Sequence, residues 1–269
     1  MTFQFADING TRIHYDVQGT SEPLVLIHAA IAHLGMWKDQ MAAFAQHHRV
    51  IRYDVRGWGK SEDPPGTYSQ HDDLRALLQH LDVERAAVLG ISNGGHIAID
   101  FALAYPKMIK ALIAVAPALS GYEPSFDKAT AQKETAAEKA YERGDKALAA
   151  ELTAQIWIDG PRRTPEQVDA DFRQRALEMI RHTFELPDTD GEELGLEPPA
   201  VDRLEEIQAP TLVIIGEQDV PAMFSIVDLL ETNITAARKV VMPGVAHFPN
   251  MEKPEAFNRI VLDLLASIE

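Results

Sequence analysis

The sequence contains no cysteine, which excludes disulfides, thiolate metal ligands and a thiol nucleophile, and leaves no internal mark of the redox compartment. Basic residues are scarce: 25 Lys and Arg stand against 41 Asp and Glu, a formal net charge of −16. A surface that grips phosphates needs clustered Lys and Arg, so nucleic acid is not an expected partner. No apolar run reaches the roughly 20 residues that span a bilayer, and no membrane partner is expected. The opening MTFQFADINGTRIHYDV lacks the basic start and apolar run of a secretory signal, so the expected location is cytoplasmic. Repeats and low-complexity tracts are missing as well. The acid-rich stretch from Glu185 to Glu206 reads as solvated surface.

What is present is ordinary for a globular domain: 269 residues, 46% hydrophobic and 25% charged, enough for one large α/β domain with an insertion. Two alternating segments, 2–8 and 11–18, flank Asn9-Gly10 and predict an antiparallel hairpin. Short apolar runs follow, with helical patterns between them: LVLIH (24–28), VIRYD (50–54), AAVLGI (86–91), ALIAVA (111–116), TLVIIG (211–216) and ARKVVMP (237–243). Runs of that length and β-branched character predict a mostly parallel sheet buried on both faces, eight-stranded once the hairpin is counted. Between 121 and 199 the rhythm breaks into helix-like, strandless sequence, far longer than the dozen residues a crossover requires. The expected organisation is a core of 1–120 and 200–269 with a helical cap of 121–199 over the sheet's C-terminal edge.

The chemistry is concentrated where apolar runs end. Gly90-Ile91-Ser92-Asn93-Gly94-Gly95 closes AAVLGI and opens the helical HIAIDFALAYP, the GxSxG pattern between a strand and a helix. A sharp strand-to-helix turn strains the serine backbone and requires tiny residues at 90 and 94. A serine hydroxyl is a poor nucleophile at neutral pH, so the reading also demands a base and an orienting carboxylate on other strand ends, in the order Ser, acid, His. Asp219 leaves TLVIIG in Glu217-Gln218-Asp219-Val220-Pro221, and His247 follows ARKVVMP in Gly244-Val245-Ala246-His247-Phe248-Pro249. Taken singly, each has a plain alternative: Asp219 as a helix N-cap, His247 as a satisfied loop histidine. An oxyanion would take backbone N–H groups from Asn93 and from the loop His28-Ala29-Ala30, with Ala30 the assigned donor and Ala29 the alternate. His28 reads as a buried residue holding that loop.

The sequence resembles the α/β-hydrolase superfamily over essentially its whole length. GISNGG, YDVRGWGKS (53–61), GEQDVP (216–221) and GVAHFPNMEKPEAF (244–257) carry the resemblance. Within that superfamily, LIHAAIAHLGMW and RYDVRGWGKS look most similar to the esterases, enol-lactonases and haloperoxidase-like members. The resemblance implies an α/β-hydrolase fold and a Ser92, His247, Asp219 triad, with no cofactor and no metal. One departure stands out: the family's His-Gly at the oxyanion strand is His28-Ala29 here, and alanine lacks glycine's freedom at positive φ. Serine at the elbow disfavours the branches that use a carboxylate nucleophile.

The expected reaction is transfer of an acyl group from a small-molecule ester or lactone through Ser92 to water. Tyr122, Phe126, Trp157 and Phe184, with Met36, Trp37 and Phe248, are the aromatic and apolar residues from which a pocket would be drawn, and core packing is the competing role for each. Ala29 joins them as a substrate contact. Arg162 and Arg163 admit two readings: a bidentate grip on a substrate carboxylate, or ion pairs with neighbours such as Asp159 and Glu166. The same triad serves a carbon–carbon bond hydrolase or a cofactor-free perhydrolase, and the fold also serves receptors without turnover. A homodimer is compatible with the sequence, which fixes no oligomeric state.

Overall fold

The computed structural model describes residues 3–187 and 190–268. Asn9 and Gly10 both take positive φ, at 44° and 73°, as a two-residue hairpin turn requires. They join β1 (Gln4–Ile8) to β2 (Thr11–Gln18) in antiparallel register. The chain continues through β3 (Glu22–Ile27), α1 (Lys38–Phe44), β4 (His48–Tyr53), β5 (Gly66–Tyr68), α2 (Gln70–His80), β6 (Ala86–Ile91), α3 (Asn93–Ala104) and β7 (Ile109–Val115). Next come α4 (Lys128–Glu142), α5 (Lys146–Trp157), α6 (Ala170–Glu185), β8 (Gly191–Glu193), β9 (Thr211–Gly216), α7 (Pro221–Asn233), β10 (Ala237–Met242), α8 (Pro249–Glu252) and α9 (Pro254–Ser267).

Eight strands form one sheet in the order β1-β2-β4-β3-β6-β7-β9-β10. The hairpin and the β2–β4 pair are antiparallel, and the other pairs are parallel. The strand period of two divides the core cleanly. Val25, Ile27, Val88, Leu112, Val213 and Ile215 face a core shared with α2, α3 and α7. Leu24, Leu26, Leu89, Ile113, Leu212 and Ile214 face the other side, against α1 and α9. That second core runs on into the helical segment through Ala150, Ala154, Phe172 and Ile180.

The segment 121–199 is not strandless. Gly191–Glu193 forms β8, which pairs in parallel with β5 as a separate two-stranded sheet. The sequence Gly-Glu-Glu carries no apolar alternation and only three residues, so no pattern announced it. No helix among the described residues is long and apolar enough to cross a membrane.

Candidate active site

Ser92 lies between β6 and α3 with φ 55° and ψ −117°, a conformation that costs a non-glycine residue about 1–3 kcal/mol and persists only where its surroundings over-determine it. They do so here: Ser92 N donates to Val115 O at 2.9 Å, and Ser92 O accepts from His96 N at 3.0 Å and Ala118 N at 3.1 Å. The glycines on either side permit the close approach. A Cβ on Gly90 would lie 1.9 Å from Gly94 O, and one on Gly94 would lie 2.3 Å from Ile27 O.

Asp219 and His247 leave β9 and β10, parallel neighbours, and meet beyond their ends. His247 Nδ1 stands 2.9 Å from Asp219 Oδ2 and 3.1 Å from Oδ1, with both side chains buried. Asp219 does not cap α7, whose N-cap is Val220; its Oδ1 accepts from Val220 N at 2.7 Å instead. With Nδ1–H donating to the carboxylate, the ring's other nitrogen is left as an acceptor. The His247 ring sits 4.6 Å from the Trp157 ring and stacks on Phe248 at 5.9 Å. His247 N donates to Trp157 O at 3.2 Å.

Ser92 opens onto a cavity of about 360 Å³ whose walls include Tyr122, Phe126, Trp157, Met223 and His96. The loop after β3 is held by His28. Val55 N donates to His28 Nε2 at 2.9 Å, so the proton sits on Nδ1, which donates to Ala29 O at 2.8 Å. Burial pushes the His28 pKa below its ordinary value, more than the nearby Asp54 charge and the Ala29 bond lift it, and the imidazole is neutral. Ala29 N donates to Met36 Sδ at 3.5 Å. Among the described residues no acceptor meets the N–H of Ala30 or of Asn93, and Trp58 Nε1 pins the Ala30 carbonyl. Ala29 is outside the positive-φ residues, so alanine in place of glycine costs nothing there.

A family model described as the alpha/beta hydrolase fold matches residues 22–254. The chain belongs to the alpha/beta hydrolase family. A relative from Pseudomonas putida, 2-hydroxy-6-oxononadienedioate/2-hydroxy-6-oxononatrienedioate hydrolase 2, is 30% identical over 94% of this chain and 91% of its own. The 3-oxoadipate enol-lactonase 2 of Acinetobacter baylyi is 28% identical over 91% of this chain and 88% of its own. Among solved structures, the enol-lactonase from Burkholderia xenovorans LB400 superposes with a TM-score of 0.75 at 25% identity, covering 98% of this chain and all of that one.

For this alpha/beta hydrolase the pocket expectations divide. Tyr122, Phe126 and Trp157 line the cavity with Ser92. Trp37 does not: it is fully buried in the α1–α9 core, 6.4 Å from the Phe257 ring. Met36 and Phe248 are likewise buried core, and Phe184 packs edge-on against Tyr141 of α4. Ala29 is fully buried with its N–H turned to sulfur, and it makes no wall.

Arg163 is not a free carboxylate receptor. It forms an ion pair with Glu252 and donates to the carbonyls of Ile158, Asp159 and Gly244. Arg162 donates to Glu217 O at 3.4 Å. The Asp159 partner is Arg173, at 2.8 Å. Thus the arginines tie the loop after α5 to the loops that carry Asp219 and His247. Gly160 shows how tight the seam is, since a Cβ there would lie 2.2 Å from Gln218 O.

His96 is a titratable wall residue that sequence reasoning missed. It lies four residues after Ser92, hence on the same face of α3, and that spacing was the available signal. Its Nε2 is 3.2 Å from Asp100 Oδ2. Burial opposes its charge, but the Asp100 carboxylate and Glu193 outweigh burial and lift the imidazole above its ordinary value. Among the described residues no group of three or more His, Asp or Glu converges as a metal site.

Proposed function

We propose that the protein is a serine hydrolase that cleaves a carboxylic ester or lactone through an acyl-enzyme on Ser92, with residues 121–199 as the cap of its pocket. The observation that carries this reading is the buried His247–Asp219 hydrogen bond at 2.9 Å beside a cavity into which a strained Ser92 opens. His247 Nε2 takes the Ser92 proton as the hydroxyl oxygen attacks the carbonyl carbon, and the carbonyl becomes an oxyanion held by the Ala30 and Asn93 N–H groups. His247 then returns the proton to the leaving alcohol. A water, deprotonated by the same imidazole, attacks the acyl-enzyme and releases the acid and free Ser92. Asp219 fixes the ring tautomer throughout. Each oxyanion donor is worth about 10²-fold to 10³-fold in rate.

A second reading is favoured by one observation, the 30% identity to the Pseudomonas putida dienedioate hydrolase: cleavage of a carbon–carbon bond by the same residues. The test is intact-mass spectrometry after fluorophosphonate treatment of the wild type and Ser92→Ala, beside turnover of short p-nitrophenyl esters and of a ring-fission dienone. A single adduct on the wild type alone, with ester turnover, is expected. Dienone turnover without ester turnover would select the second reading. A wild type that takes no label would put a ligand receptor without turnover in place of both.

A further inference from the structure

A second cavity, of about 400 Å³, shares no wall residue with the first. Its floor is buried: His14, Arg52, Asp54 and Leu34 are each at most 4% exposed. His14 Nδ1 holds Asp54 Oδ2 at 2.6 Å, and its Nε2 is buried with no hydrogen-bond partner among the described residues. A buried ring nitrogen left unpaired is costly. Apolar surface surrounds it, with the rings of Phe3 and Phe5 5.1 and 5.0 Å from the imidazole. The rim is cationic. Lys38 and Lys60 line it, and neither ammonium has an ion-pair partner among the described residues. Both lysines line the same cavity, so two positive charges face one apolar space in a chain of net charge −16.

We propose that this cavity binds a small carboxylate with an apolar body, its oxygens between the Lys38 and Lys60 ammoniums and His14 Nε2, and its body against Phe3 and Leu34. Two free ammoniums supply charge, an orphaned ring nitrogen supplies a directional partner, and the walls are mostly carbon. The protons balance. With Nδ1–H on Asp54, Nε2 carries the ring's lone pair and accepts from the O–H of the acid. The site abuts the oxyanion loop. Leu34 N and Lys60 N both donate to Asp54, at 2.8 and 3.0 Å, and Trp58 of the same turn holds the Ala30 carbonyl.

Titration of the full chain with benzoate, by calorimetry or by NMR, tests the proposal, with benzamide as the neutral probe. One equivalent of benzoate is expected to bind the wild type. Lys38→Ala/Lys60→Ala should weaken it by about tenfold or more, as loss of both cationic groups lining the cavity requires. The control pair Lys128→Ala/Lys133→Ala, of equal charge change on α4, should leave it unchanged. Absence of saturation in the millimolar range, equal weakening in the control pair, or equal affinity for benzamide would each overturn the proposal. Binding unaffected by the Lys38 and Lys60 changes would place benzoate elsewhere and overturn it too.

Discussion

Asp219 Oδ1 accepts from Val220 N and both oxygens accept from His247 Nδ1, so the carboxylate has little freedom left to rotate. An amide at that position would turn its NH₂ toward Nδ1 and force the proton to the other ring nitrogen, the wrong tautomer for a base. Asp219→Asn is therefore expected to keep the fold and lower kcat by about 10⁴-fold, read by steady-state kinetics on a p-nitrophenyl ester. A loss under about tenfold would exclude the orienting role. His96 makes a different kind of prediction. Its folded pKa is raised above the ordinary 6.5 by Asp100 and Glu193 against burial, so the folded state holds a proton that the unfolded chain gives up first. That contribution to stability is complete below pH 6.5 and disappears as pH climbs through the raised value. The difference in melting temperature between wild type and His96→Gln should accordingly shrink from pH 6 to pH 9. The facing groups are Asp100 on its own helix and Glu193 on β8, and a difference that grows with pH would contradict the assignment.

At the scale of elements, the loop after α5 is a seam rather than a lid edge. Arg163 joins three backbone carbonyls to Glu252, whose other oxygen accepts from Ala246 N at 2.9 Å. Truncation would leave the largely buried Glu252 carboxylate without its cation. Arg163→Ala should therefore cost about 2–4 kcal/mol in urea unfolding, and should lower kcat more than it raises KM, because the loop that positions His247 loosens. A KM effect alone would instead return Arg163 to substrate binding. The same seam marks the limit of what the sequence made legible. Strands β3, β6, β7 and β9 announced themselves because their apolar stretches, 24–27, 86–91, 111–115 and 212–215, are buried on both faces. Ser92 and Asp219 could be named because each follows such a run, and His247 because it follows the shorter, half-exposed apolar run of β10. Trp37 and Arg163 could not be placed: an indole on an amphipathic turn and a guanidinium in a loop point toward partners more than two hundred or about ninety residues away, Phe257 and Glu252. β8 was invisible because backbone pairing alone makes it a strand.

For the molecule as a whole, the net charge of −16 is a uniform self-repulsion that salt relieves. The Debye length falls from about 30 Å at 0.01 M to about 10 Å at 0.1 M, so the melting temperature should rise by about 2 °C or more over that interval. A fall would mean that exposed pairs such as Lys239 with Asp228 and Glu231 outweigh the repulsion. Trp157 and Gly160 extend the whole-molecule view. The ring of Trp157 lies on His247 and its carbonyl takes the His247 N–H, while Gly160 presses on the acid loop. A chimera that keeps the rest of the chain and borrows residues 121–199 from a relative would exchange part of the His247 scaffold along with walls of the Ser92 cavity. Selectivity and rate would then be inherited together, and new substrates would be reached by point changes at Tyr122 or Phe126 more readily than by transplanting that whole segment.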